Sequence, residues 1–219
     1  MNRVCLLFIC FAALYPMTFA TASVRTWEDT VTLPTYPWYD DVNPAFRAYD
    51  DVIYYPYTRQ DHIAKSKTPR AYRTIHIENE YLSLTCIPAL GGRIHSVRVR
   101  HLDEEMFHRN DEIKPALIAM RGAWIGGGIE WNPGPHGHTV TILSPVDVVA
   151  QRHRDGSASL VIGNMEKMFR TRWTVRLTLH PGRSCLDEEI RIYNPTDSVK
   201  PYYFWNCTAL ELLDAAPSP

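Results

Sequence analysis

The stretch of this sequence best suited to chemistry runs from residue 121 to residue 139 and is dense in glycine. It places one carboxylate, Glu130, close to two imidazoles, His136 and His138. Carboxylates and imidazoles are the usual groups of general acid-base catalysis, and glycine-dense loops often bring the backbone close to a ligand. We therefore predict Glu130, His136 and His138 as the catalytic candidates.

Each of these residues also has a structural interpretation. Glu130 lies between Ile129 and Trp131, and a carboxylate in such an apolar setting could instead form a buried salt bridge with Arg121 or Arg93. The two histidines could be loop residues that hydrogen-bond each other. Both interpretations stay open at the level of sequence.

Two indoles flank the carboxylate. Trp124 and Trp131 are of the residue type that stacks on the apolar face of a sugar ring, and Asn132 and Arg93 could bind its hydroxyls. We predict these four residues, Arg93, Trp124, Trp131 and Asn132, as the substrate-binding set, with carbohydrate as the partner.

Other chemistries have weaker support. The two histidines and Glu130 would barely supply a metal site, so we predict no metal and no cofactor. No Gly-Lys-Ser/Thr phosphate loop and no Gly-x-Ser-x-Gly nucleophile motif occurs. The formal net charge of −1 provides no basic surface for nucleic acid or for an anionic membrane, and we expect neither as a partner.

The elements that must position these residues look like strands. Residues 172–179 and 186–193 alternate apolar and polar side chains with the period of two that a half-buried strand requires, and Gly-containing turns separate such segments. No helical stretch of comparable quality appears. The pattern predicts an all-β fold, an antiparallel sandwich or barrel, with strands at 73–78, 82–87, 93–101, 139–143, 146–153, 158–163, 172–179, 186–193 and 202–210.

The N-terminal third has a different character. Residues 1–22 combine Arg3, an apolar run and a small-residue Ala-Thr-Ala site, which predicts a cleaved signal peptide and a secreted or periplasmic protein without a membrane anchor. Residues 23–70 are rich in Tyr, Pro and Asp, which favours an extended arm laid over the main domain at 71–219.

Several motifs in this order resemble the DUF5107 family within the galactose-mutarotase-like superfamily. The resemblance extends from about Leu33 to Asn206, and it is carried by LPTYP at 33–37, YPY at 55–57, IPALGGRI at 87–94, GGIEWN at 127–132, HT at 138–139, RTRW at 170–173 and YNPT at 193–196.

The resemblance implies an antiparallel β-supersandwich that holds a carbohydrate on a concave sheet face. It also implies acid-base chemistry at an anomeric or glycosidic centre, as in a mutarotase-like epimerase or a glycoside hydrolase. A glycosidase would need a second carboxylate, for which Glu188 and Asp147 are the candidates. The alternatives are a non-catalytic carbohydrate-binding domain and a purely structural one.

Domains of this kind are generally longer than the present chain. The resemblance therefore implies that later strands are missing, and that the chain is a fragment or that a partner chain completes the sheet.

Overall fold

The fold is described from a computed structural model that covers residues 23–42, 44–46, 53–134, 138 and 140–210. The predicted signal peptide at 1–22, His136 and Thr139 lie outside the described residues. The strands in chain order are β1 (Arg25–Thr35), β2 (Trp38–Tyr39), β3 (Pro44–Phe46), β4 (Ile53–Thr58), β5 (His62–Ile63), β6 (Thr68–Glu78), β7 (Leu82–Ile87), β8 (Arg93–Val99), β9 (Glu104–Glu105), β10 (Ala116–Ala119), β11 (Gly122–Trp124), β12 (Ile129–Pro133), β13 (Asp147–Arg152), β14 (Ala158–Met165), β15 (Arg172–Leu179), β16 (Leu186–Tyr193) and β17 (Phe204–Thr208).

The prediction of an all-β, antiparallel fold is confirmed. The only helical element among the described residues is a single 3-10 turn at Pro88–Leu90. No helix in this part of the chain is long and apolar enough to cross a membrane.

Two antiparallel sheets form the sandwich. The large sheet has the order β1-β6-β7-β8-β12-β17, with β9 paired to β8, and the small sheet has the order β13-β14-β15-β16. Their facing sides bury one apolar cluster, to which β15 contributes Trp173, Val175, Leu177 and Leu179 at every second position. Because side chains alternate along a strand, this packing sends the intervening residues of the large sheet to its opposite face.

A second apolar cluster lies beside the sandwich. It includes Tyr72, Leu90, Ile125 and Ile142, and the indole of Trp38 packs against it. Trp38 Nε1 also donates to the carbonyl of Leu143 at 3.2 Å, which ties the N-terminal region to the domain.

Three predicted elements differ from the structure. The glycine-dense stretch at 121–139, expected to be a loop, contains β11 and β12. Residues 25–35, assigned to the arm, form β1 and pair with β6 along their whole length, from Arg25 with Glu78 to Thr35 with Thr68. Most of these side chains are exposed, so β1 carries little of the apolar alternation that identifies a strand.

The strand predicted at 139–143 is wrong over its described residues, which form turns instead. Ser144 N donates to Thr141 O, and Ile142 and Leu143 are buried in the second cluster. A short apolar run buried on all sides cannot be assigned to a strand from periodicity alone.

Candidate functional site

Strand β12 divides its side chains between the two faces of the large sheet. Ile129 and Trp131 enter the core between the sheets, whereas Glu130 and Asn132 lie on the opposite, polar face. The neighbouring strand β8 adds Arg93 to this face. The polar face therefore holds the carboxylate that the sequence singled out.

The Glu130 carboxylate has donors on both oxygens and is only 2% exposed. Its Oε1 accepts from Asn132 Nδ2 at 2.8 Å and lies 2.8 Å from His138 Nδ1. Its Oε2 accepts from Trp124 Nε1 at 2.8 Å and from Arg93 Nη2 at 3.3 Å. The carboxylate of Glu130 is thus the point at which the other predicted site residues, apart from Trp131 and His136, converge.

The salt-bridge interpretation of Glu130 is confirmed for Arg93 and not for Arg121, which pairs with Asp40. Arg93 also donates to the carbonyls of Ile125 and Gly127. Burial lowers the pKa of Arg93, and the adjacent Glu130 opposes that shift. A charge pair removed from water in this way holds its geometry rigidly, because separating it would leave a buried ion without a partner.

The glycine run shapes the backbone beside this pair. Gly127 and Gly128 have φ of 92° and 61°, in the region that favours glycine. A Cβ on Gly128 would lie 2.0 Å from the carbonyl oxygen of Ile94. The glycines therefore let the chain cross β8 at close range before β12 begins.

His138 lies at the accessible side of the cluster. Its side chain is 29% exposed, and its ring is edge-on to Trp124 at 5.4 Å and to Trp205 at 6.2 Å between ring centroids. Since Glu130 is an acceptor for its other partners, Nδ1 of His138 is the donor in their contact, and Nε2 is the nitrogen left for other partners.

Strand β17 supplies residues that the sequence reasoning did not select. It pairs with β12 so that Glu130 faces Cys207 and Asn132 faces Trp205. Tyr203, just before this strand, stacks on Trp205 at 4.8 Å, with 6° between the ring planes. The strand predicted at 202–210 contained these residues, but its pairing with β12 is a long-range contact that no local pattern indicates.

The two predicted indoles have different surroundings. Trp124 contacts Glu130 and His138, whereas Trp131 is 2% exposed in the core and donates to Gly92 O at 2.9 Å. Trp131 therefore does not lie on the wall of the site, because neighbouring positions of a strand face opposite ways. Trp205 takes the place beside His138 that the sequence had assigned to a second indole.

Within the described residues, one triad has the donor types and spacing of a metal site. The ligand atoms of Glu130, His138 and Cys207 lie within 4.8 Å of one another. These donors suit zinc, but Oε1 already accepts a hydrogen bond from Asn132, and the charge of Arg93 opposes a second cation. Hydrogen bonds account for all three groups, since Glu130 contacts His138 Nδ1 and Cys207 Sγ accepts from Trp205 Nε1 at 3.3 Å.

Neither candidate for a second carboxylate faces Glu130. Glu188 accepts from Asn206 at 3.2 Å, and Asn206 pairs with the core-facing Trp131 rather than with Glu130. Asp147 is an exposed residue of β13 in the other sheet. Of the described residues, the imidazole of His138 is the acid-base group that Glu130 contacts.

Comparison with known proteins agrees with this architecture. A crystal structure of a TPR-domain containing protein from Parabacteroides distasonis ATCC 8503 matches with a TM-score of 0.76 and 27% sequence identity. The match covers 87% of this chain and 32% of that chain, so this chain spans about a third of the length of that protein.

A family model described as a domain of unknown function, DUF5107, matches residues 37–216. This match contains β12, β17 and the cluster around Glu130. Because it covers most of the sequence, the chain belongs to the DUF5107 family.

Proposed function

We propose that the protein binds carbohydrate beside the Glu130–His138 pair, and that His138 acts there as the acid-base group at an anomeric centre. The observation that carries the proposal is the 2.8 Å contact between Glu130 and His138 Nδ1, with the imidazole lying between two indoles. A carboxylate that fixes one ring nitrogen sets the tautomer and leaves the other nitrogen basic.

The division of roles follows from accessibility. Glu130 is buried and has donors on both oxygens, so it acts as a positioning residue, whereas the half-buried His138 reaches the ligand. Trp205 and the stacked Tyr203 supply apolar faces for a sugar ring. This arrangement revises the sequence hypothesis, in which Glu130 itself was the acid or base.

The chemistry proposed is ring opening and closing of an aldose. Nε2 of His138 takes the proton of the anomeric hydroxyl as the bond between C1 and the ring oxygen breaks, and water protonates that oxygen. Closure on the other face reverses both proton transfers, so no proton, electron or cofactor is consumed. The reaction matches the galactose-mutarotase-like superfamily, to which we propose that the sandwich belongs.

A polarimetric assay of α-galactose and α-glucose tests the proposal. We expect the protein to accelerate mutarotation, His138→Gln to abolish the acceleration, and Glu130→Gln to reduce it about 100-fold or more through loss of the tautomer. His101→Gln, at an exposed position in the turn after β8, is the matched control. Equal rates for His138→Gln and the unchanged protein would overturn the catalytic proposal.

The saturated hydrogen bonding of Glu130 also favours a second candidate, a non-catalytic carbohydrate-binding domain. Glycan-array binding that is lost in Trp205→Ala and retained in Trp205→Phe, without any mutarotation, would support this alternative. If no glycan binds, the carbohydrate assignment itself fails.

We also propose that the protein is exported. The charged start, apolar run and Ala-Thr-Ala site of residues 1–22 support this proposal. Mass spectrometry of the protein from its native compartment should find a mature N-terminus at Ser23. Recovery of a chain that still begins at Met1 would contradict it.

A further inference from the structure

A cavity opens on the polar face of the large sheet, and His138 is not among the residues that line it. It has a volume of about 450 Å³, its floor is formed by β6, β7 and β8, and β1 and residues 109–111 form its walls. Asn110 Nδ2 contacts Gly126 O at 3.3 Å, so the two loops meet between this cavity and the Glu130 cluster. The volume is in the range of small-molecule sites.

His95 lies in this cavity because of a β-bulge. The register of β7 and β8 shifts so that Cys86 pairs with Ile94 and Thr85 pairs with Ser96, which leaves His95 as the extra residue. Ile94 and Val97 both enter the core, while His95 and Ser96 both line the cavity. Bulges of this kind re-aim a side chain at a functional position.

The His95 side chain is polar and buried, and it has no hydrogen-bond partner within the described part of the chain. It is 8% exposed, and neither ring nitrogen bonds to a described residue. Burial, together with the charges of Arg109 and Arg93, lowers the pKa of His95 to about 4 despite the opposing charge of Glu105. The imidazole is therefore neutral at pH 7, and it lies where the two guanidiniums make the potential positive.

Arg109 is the cation available at this end of the cavity. Its guanidinium has no ion pair or hydrogen bond to a described residue, whereas Arg93 is bound to Glu130 and Arg98 is bound to Asp103. Arg109 lines both this cavity and the narrow space beside Arg93 and Gly127. An unpaired guanidinium beside a neutral imidazole suits a carboxylate.

The other end of the cavity has the opposite character. His76 is held by Thr74 at 2.8 Å and by Thr85 at 3.1 Å, and its ring stacks on Trp27 at 4.7 Å. Burial lowers the pKa of His76, and the nearby carboxylates of Asp29 and Glu78 oppose that shift. Because both ring nitrogens of His76 are already hydrogen-bonded, the threonine hydroxyls and the Asp29 carboxylate are the groups at this end that can bind sugar hydroxyls, whereas Arg109 and His95 lie at the other end.

We propose that this cavity is a second binding site that takes a sugar carrying a carboxylate, a uronic acid. The carboxylate pairs with Arg109 and accepts from His95, and the ring hydroxyls bind at the end formed by Thr74, Thr85 and Asp29. The choice of a sugar rests on the proposed function. The choice of a carboxylate rests on Arg109 and His95 and not on the net charge of the cavity, because Asp29 and Asp111 balance Arg98 and Arg109 among the residues that line it.

Isothermal titration with galacturonate and glucuronate, against galactose and glucose, tests the site. We expect the uronates to bind at least tenfold more tightly than the neutral sugars, and this preference to fall as NaCl is raised. Arg109→Gln should remove the preference, and Arg154→Gln, in the exposed turn between β13 and β14, should keep it. Equal affinity for charged and neutral sugars, or an unchanged preference in Arg109→Gln, would overturn the proposal.

Two further comparisons distinguish a sugar site from a simple anion site, and this proposal from the catalytic one. If acetate or inorganic phosphate displaces the uronate at equal concentration, the site is a simple anion site and the sugar assignment is wrong. If the protein catalyses mutarotation that is lost in His138→Gln but does not bind uronate, only the proposal of a second site is wrong. If it binds uronate and loses that binding in Arg109→Gln but does not catalyse mutarotation, the catalytic proposal is wrong and the second site stands.

Discussion

Arg93 Nη2 lies 3.3 Å from Glu130 Oε2, and the two side chains are 3% and 2% exposed. This buried pair links β8 to β12 on the polar face of the large sheet. It also ties the proposed catalytic group to the fold, because Glu130 holds His138 through its other oxygen.

Replacing Arg93 should therefore destabilise the protein strongly. Arg93→Met leaves the Glu130 carboxylate buried without its cation, and we expect the free energy of unfolding to fall by about 3–5 kcal/mol in urea denaturation. Arg191→Met breaks an exposed pair with Glu189 and should cost less than about 1 kcal/mol. Similar losses of unfolding free energy in both variants would show that the buried pair contributes no more to stability than an exposed pair.

Trp131 and Trp205 lie on opposite faces of the large sheet, so we expect their replacement to have different effects on stability and on the proposed glycan binding. Trp131→Ala leaves a cavity in the core and should lower the free energy of unfolding by about 3–5 kcal/mol. Trp205→Ala, at a half-buried position, should reduce stability less and glycan binding more. Calorimetric melts and binding titrations of both variants measure this difference, and the reverse pattern would contradict the assignment of faces.

Because His95 is buried, we expect the protein to lose stability in mild acid. Its pKa is 6.5 when exposed and about 4 when folded, so between these values the unfolded chain binds more protons and stability falls as pH falls. The loss between pH 7.5 and pH 5 is about 2 kcal/mol. Burial lowers the pKa of His76 as well, which adds a loss of the same sign.

Chemical denaturation at the two pH values measures this effect. In His95→Asn the part due to His95 should disappear, and in His101→Asn, an exposed position, the full pH dependence should remain. A pH dependence unchanged in His95→Asn would assign the acid sensitivity to other groups.

Substitutions at two glycines with similar φ distinguish the free-energy cost of backbone strain from that of a close contact. Gly182 has φ of 70°, and a β-carbon there would meet nothing within 4 Å, so Gly182→Ala should cost about 1 kcal/mol. Gly128→Ala has a similar strain and also collides with the Ile94 carbonyl, so we expect a loss of about 3 kcal/mol or more. Thermal melts compare the two, and equal losses would mean that the chain relaxes around the contact at Gly128.

Much of the fold follows from local patterns in the sequence. β7, β15 and β16 have the bounds that alternation predicts, because one face of each strand packs in the core or against its edge. The cluster around Glu130 was also indicated, since a carboxylate in a glycine-dense apolar stretch is unusual. The exposed strand β1, the turns at 140–143 and the fully buried strand β12 were missed because exposure and complete burial both hide the period of two.

The all-β class, the family motifs and the region of the site can be read from the amino-acid sequence. Which residues meet at the site depends on the tertiary structure. The pairing of β17 with β12 places Cys207 opposite Glu130 and Trp205 opposite Asn132 and beside His138, and a one-residue bulge places His95 in its cavity. Alternation is set by neighbouring residues along the chain, whereas strand pairing and register are set by closing a sheet across distant segments, which no local pattern records.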